Sequence, residues 1–344
     1  MAQDLGLPLH GPDHGAGALD AFANTLVLEA IVKRLQETSG PTTLAMGAVT
    51  DGGILRRDGT TIVSSSAPKT EFGFRLTLET GVPISTSDQA SKTTIYLTPY
   101  TSNAAWLEYS GVVRRYELAE LSLALGTMTA SRGYDVWLYA TSATAAALEI
   151  LVWTSATARA TALARDNAGR WVKSGDTTRL YVGSFYSTST TVTDDTAEKR
   201  FVWNFYNRVQ RTFTSQDATG SFTQNTGGMS TLAAVNGGDA DWKREFFRGL
   251  DEDPVSASGT VFVGSSAQVG VTFCLDSTTS QSTLASMGTV TSSGTGFSAT
   301  GHFCGLLGLG YHYLQCSAAT GASSTCYGTV GSNRACGVTG AALA

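Results

Sequence analysis

Residues 175 to 213 read GDTTRLYVGSFYSTSTTVTDDTAEKRFVWNFYNRVQRTF, and the fold turns on how this stretch is read. It holds two candidate strands, Arg179 to Tyr186 and Lys199 to Val209, separated by a polar Ser/Thr/Asp segment. In the second, Phe201, Trp203, Phe205 and Asn207 fall on one side of a pleated chain. Val202, Asn204, Tyr206 and Arg208 fall on the other. That is a period of two, with three aromatics on one face. Aromatic side chains suit a sheet surface and bury a large area each. The stretch predicts the central sheet of an all-β domain, with Phe201, Trp203 and Phe205 in its core.

The same grammar extends upstream. Tyr134 to Tyr139 and Ala147 to Thr154 are rich in β-branched and aromatic residues and predict an antiparallel pair, with Trp137 and Trp153 added to the core. Phe72 to Leu78, Thr94 to Leu97, Ala105 to Val113 and Arg115 to Leu125 are further candidates. Arg165 to Val172 holds an Asp-Asn-Ala-Gly turn. Thr154 to Arg165, dominated by alanine, fits a short helix as well. Roughly eight strands at this spacing predict a sandwich or jelly roll. Thr214 to Gly238 is polar and Gly-rich and marks a boundary. Beyond it Gly259 to Gly264, Gln268 to Leu275, Gly296 to Phe303, Leu309 to Cys316 and Ser324 to Gly328 predict a second all-β domain. The expected organisation is mainly β: 1–66 for attachment, 67–214 a central β-sandwich, 215–344 a Gly- and Cys-rich β domain.

Composition bounds the function. Hydrophobic residues are 42% and charged residues 15% of 344, enough for a packed core and unlike a disordered chain. Net charge is −5 and no basic patch stands out, which argues against nucleic acid as a partner. No apolar run approaches the ~20 residues of a membrane-spanning helix, and no signal-peptide pattern opens the chain. Five cysteines lie in the last quarter, at 274, 304, 316, 326 and 336. In a bacterial cytosol they start reduced, and buried thiols acting as small hydrophobes are the favoured reading.

The opening stretch also resembles a module of tailed-bacteriophage virion proteins of the tail-fibre or minor structural type. The matching residues are Gly175-Asp176-Thr177-Thr178-Arg179 and Lys199-Arg200-Phe201-Val202-Trp203-Asn204-Phe205-Tyr206-Asn207-Arg208. The likeness continues in Phe74-Arg75-Leu76-Thr77-Leu78 with Gly81-Val82-Pro83, in Thr94 to Tyr100, and more weakly in His312-Tyr313-Leu314-Gln315. It implies a particle protein, without saying which part of the particle.

The N-terminal region fits an attachment role. Residues 1–18 are irregular. Asp20 caps an expected helix to about Thr38, in which Leu28, Ile31, Val32 and Leu35 form one apolar face and Phe22 and Leu26 a second. Ser39-Gly40-Pro41 stops it. Such a helix is too short to be stable alone; burial against copies of itself or another virion protein is expected, with docking on the chain's own sheet as the alternative. Ala48 to Val63 carries Asp-Gly turns between apolar runs, a hairpin signature that also resembles connectors of trimeric phage fibre stalks.

Candidate chemistry is sparse. His302, Cys304, His312 and Cys316 are metal-ligand types at no familiar spacing. Asp194-Asp195, Asp239/Asp241 and Asp251-Glu252-Asp253 are acidic clusters. The first reads as a solvated turn or a helix-cap pair, and the last lacks the alternating calcium-loop pattern. No nucleophile elbow, zinc-protease helix or phosphate loop occurs. No catalytic residue, metal or cofactor is expected. Most tryptophans read as core. Trp242, set among charges, is the candidate ligand platform.

These readings predict a non-enzymatic virion protein assembled in the host cytoplasm, a tail fibre or fibre-like appendage. The expected partners are its own copies in a trimer, other virion proteins at the N-terminus, and a host-surface glycan or protein. A head fibre or capsid decoration protein is the first alternative and a polysaccharide-degrading spike the second.

Overall fold

The computed structural model describes residues 45–46, 54–58, 61–65, 71–216, 221–224, 227–232, 242–264, 268–291, 296–327 and 336–344. The chain divides into two compact units, Met1–Lys69 and Thr70–Ala344. In the first, Ile54–Asp58 and Thr61–Ser65 pair antiparallel, in register from Ile54↔Ser65 to Asp58↔Thr61, as the hairpin signature predicts. Ala45–Met46 lies parallel beside its second strand. The expected attachment helix, with Phe22, Leu26, Leu28, Ile31, Val32 and Leu35, lies outside the described residues.

The second unit is built of strands, and no helix occurs among its described residues beyond a single 3-10 position. Thr154 to Arg165 is accordingly a run of bends ending in the strand Leu163–Arg165. Gly133–Ala140 pairs antiparallel with Ala146–Val152 on one side and with Asp176–Tyr186 on the other. Asp176–Tyr186 also takes Trp171–Lys173 and Val202–Asn204. One face of this sheet meets Phe74–Thr77 and its neighbour Thr94–Pro99, burying Phe74, Leu76, Leu97, Val136, Leu138, Phe185 and Val202 together.

The second large core lies between two sheets. One runs, in spatial order, through Gln210–Gln216, Gly337–Leu343, Val255–Val263, Phe297–Gly305 and Ala285–Ser286. The other runs through Gly288–Thr291, Gln268–Leu275, Gly310–Thr320, Lys243–Arg248, Lys199–Arg200, Thr193–Asp195 and Gln89–Lys92. Phe246, Val261, Phe273, Phe303 and Cys316 pack between them.

The two cores fall near the two expected domains, but the division at 214/215 does not separate compact bodies. It cuts the strand Gln210–Gln216, and the longer sheet carries strands from both sides of it. The physical link is the short parallel pairing of Lys199–Arg200 with Lys243–Arg248. A smaller aromatic cluster reinforces it: Trp153, Tyr186, Phe201 and Phe247, with Tyr311 stacked on Tyr186.

The decisive aromatic segment is also less regular than its alternation predicts. Phe201 interrupts the pairing, its carbonyl accepting from Tyr186 N–H at 3.1 Å, so the chain continues as Val202–Asn204. All three residues of that strand are buried, because packed layers cover both its faces. Val202 joins one core, while Trp203 joins a cluster with Trp137 and Tyr181. The residues named as core are so placed: Trp137, Trp153, Phe201 and Trp203 are fully buried, and Phe205 packs half-buried on the Trp203 cluster.

Candidate functional site

The most elaborate polar constellation is one the sequence reading missed. Asp135 and Ser184 are register partners on adjacent strands. A bulge between Val136 and Trp137 shifts the pairing so that Trp137 faces Tyr181. Tyr181 is thereby brought to the same side as Ser184, a geometry that needs Gly183, since a Cβ there would lie 2.3 Å from Trp203 O. Ser184 Oγ donates to Asp135 Oδ1 at 2.7 Å, and lies 2.6 Å from Tyr181 Oη.

Arg159, from the bend-rich segment, closes the cluster. Its Nε–H lies 3.1 and 3.0 Å from the two Asp135 oxygens, and Nη2 donates to Tyr181 Oη at 2.8 Å and to Gly249 O. The guanidinium also stands over the Trp153 ring at 4.6 Å. Burial pushes the Asp135 carboxyl upward, and Arg159 and Ser184 pull it back. Burial likewise raises the Tyr181 phenol. Asp135, Ser184, Tyr181 and Arg159 thus bond to one another. The arrangement fastens a loop and the Gly249 turn to the sheet. A charged Asp135 inside the apolar run GYDVWLYA was its legible signal, because a buried carboxylate requires a partner.

Asp194-Asp195 is a second such cluster, and here the expectation of a solvated turn is corrected. Both residues are buried at the seam of the long sheet. Asp194 accepts from Ser91 N–H at 2.7 Å and from Lys199 Nζ at 3.2 Å. Asp195 sits between Arg200 at 3.6 Å and Arg211 at 3.5 Å. Burial raises its carboxyl, against the pull of Arg211 and Arg200. Nearby Arg75 is lowered to about 10, chiefly by burial. The polarity of the segment concealed this: Lys199 and Arg200 are near in sequence, but Ser91 and Arg211, which complete the burial, are not.

The remaining acidic run is occupied by cations of the protein. Arg208 bridges Glu252 at 2.7 Å and Asp253, and Asp251 Oδ1 accepts from Gly308 N–H at 3.1 Å. Asp239 and Asp241 lie outside the described residues.

The His/Cys set is not brought together. His302 and Cys304 lie on Phe297–Gly305 in one sheet, His312 and Cys316 on Gly310–Thr320 in the other. His312 Nδ1 is instead 2.6 Å from Asp276 Oδ2. Among the described residues no group of three His, Cys, Asp or Glu side chains could hold a metal ion. Cys274 and Cys316 are buried thiols, with Cys316 raised by burial. Cys326 and Cys336 are buried too, and Cys304 is exposed.

Trp242 corrects the remaining expectation. It is fully buried against Phe222 in the second core and presents no face to a ligand. Its charged neighbour Arg244 is itself buried, so local charge was no guide to exposure.

No helix among the described residues is long and apolar enough to cross a membrane. Among known proteins, no family model matches the chain and no curated protein matches it.

Proposed function

We propose that the chain is a non-enzymatic structural component of a tailed-bacteriophage particle, a tail fibre or fibre-like appendage. In this reading it attaches through the N-terminal arm and helix, assembles as a homotrimer, and projects two β-sandwich or jelly-roll-like halves that can contact the host surface. The observation that carries it is the way the residues of the resemblance meet. Asp176–Tyr186 pairs with Val202–Asn204. Asn204 then ties to the neighbouring sheet, accepting from Leu76 N–H at 2.6 Å and donating to Leu76 O at 3.2 Å. Asn207 donates to Phe72 O at 2.6 Å and Phe74 O at 3.1 Å. Phe74–Thr77 pairs in turn with Thr94–Pro99. Segments more than a hundred residues apart thus form one frame. A motif whose polar members hold strands together suits a protein that acts by shape and adhesion.

The test is to purify particles of the phage that encodes the chain and to locate it with an antibody to residues 70–344. Stoichiometric recovery with particles and label at the tail supports the reading. Absence from particles discards it. Label at capsid lattice points transfers it to a head fibre or decoration protein. Release of reducing ends from host capsule by the purified chain makes it a depolymerase.

A further inference from the structure

Two strands share one edge of Val255–Val263, since Phe297–Gly305 fills the other along its whole length. Ser324–Tyr327 takes the far end, with Cys326 opposite Val263 and Tyr327 opposite Phe262. Gly264 N–H donates to Thr325 O at 2.8 Å and fixes that register. Gly337–Leu343 takes the rest, starting with Gly337 opposite Thr260. Cys336, one residue earlier on an antiparallel strand, therefore stands beside Val261. Val261, Val263, Cys326 and Cys336 are all buried in the second core, so both cysteines face inward. Same-face positions along an edge are about 6.6 Å apart, within the Cα span of a disulfide. The Cys336 side chain also leans the right way. Its Sγ accepts from Phe262 N–H at 3.0 Å, the amide between Val261 and Val263. The other cysteines lack this relation. Cys274 and Cys316 are on paired strands but one register position apart, Cys316 opposite Phe273 and Cys274 opposite Gln315, so they point to opposite faces of their sheet. Cys304 is exposed.

We infer that Cys326 and Cys336 are a redox pair that joins as a disulfide in the presence of a small-molecule disulfide. One protein thiolate attacks a sulfur of the reagent and expels a small thiol. The second attacks the resulting mixed disulfide and expels the other. The protein gains an S–S bond, the reagent loses one, and two hydrogens pass from the cysteines to the reagent. Reaction needs an accessible thiolate, so burial makes the exchange slow and confines it to moments when this edge opens. Once formed, the bond staples Gly337–Leu343, which lies between Gln210–Gln216 and Val255–Val263, to Ser324–Tyr327. The inference does not rest on the phage assignment.

The test uses the full chain with Cys304→Ser, which removes the exposed thiol. It is incubated with oxidised glutathione, unfolded in urea with iodoacetamide, and digested with trypsin. Arg334 is the only Lys or Arg after Arg248, so residues 335–344 are cut off as a peptide whose one cysteine is Cys336. That peptide is expected to stay bonded to residues 249–334 until a reductant is added. Fragmentation of the linked pair is expected to place the bond at Cys326, with Cys274 and Cys316 alkylated. An alkylated Cys336, glutathione left on Cys326 or Cys336, or a bond from Cys336 to Cys274 or Cys316 would overturn the inference.

Discussion

Ser184 Oγ donates to Asp135 Oδ1 at 2.7 Å across two strands of the central sheet, and both side chains are buried there. The carboxylate is tolerated because Arg159 faces it with its Nε–H, and the side chains of Arg159 and Asp135 are only 9% and 2% exposed. Removing one partner of a buried pair leaves an uncompensated charge, typically costing about 3–5 kcal/mol, whereas replacing both is much milder. Arg159→Met is therefore expected to destabilise the protein by about that amount. The double change Arg159→Met with Asp135→Leu is expected to recover much of the loss. Urea unfolding of the wild type, the single variant and the double variant measures both.

The backbone beside this pair is equally constrained. A Cβ on Gly183 would fall 2.3 Å from Trp203 O and 2.8 Å from Leu76 Cδ1. Overpacking of this kind costs about 1–3 kcal/mol, and here the obstacle includes backbone. Gly183→Ala is expected to reach the upper part of that range. Gly169→Ala is the comparison, a turn position with nothing within 4 Å, though its φ of +78° also carries strain. Thermal unfolding of the two variants should rank Gly183→Ala as the more damaging.

Glu120 gives the fold a pH-dependent contribution. It accepts from Thr80 Oγ1 at 2.6 Å, Gly81 N–H at 2.7 Å and Thr98 Oγ1 at 2.5 Å. Burial opposes ionisation, but these three hydrogen bonds outweigh it and hold the carboxyl below its ordinary 4.5. A folded-state value below the unfolded one means stability that is present above the unfolded value and lost as pH falls through the folded one. Melting temperatures of wild type and Glu120→Gln are expected to differ most at neutral pH. They should converge as pH falls below 4.5 through the folded-state value.

The cysteines predict a simple titre. Cys274, Cys316, Cys326 and Cys336 are buried and Cys304 is exposed. In dilute native solution a thiol reagent is expected to modify one cysteine per chain promptly, because reaction requires an accessible thiolate. Cys304→Ser is expected to remove that reaction. Prompt modification of a second site would contradict the burial described.

Sequence alone determined the kind of element. The β-branched and aromatic content of Tyr134 to Tyr139, alternation in the KRFVWN run, turn residues such as Asp166 to Gly169, and the Asp-Gly hairpin each encode strands or turns through short-range sterics and pattern. The burial of Trp137, Trp153 and Trp203 follows from the same local pattern. Tertiary structure decided what each strand lies against. The parallel contact of Lys199–Arg200 with Lys243–Arg248 merges the two expected domains, and no local period records a pairing across more than forty residues. Asp194, Asp195 and Trp242 looked like surface because their neighbours in sequence are polar. They are buried because their neighbours in space are Arg200, Arg211 and Phe222. Periodicity fixes the face a side chain takes. Only the assembled sheets fix whether that face meets water, a counter-charge or another layer.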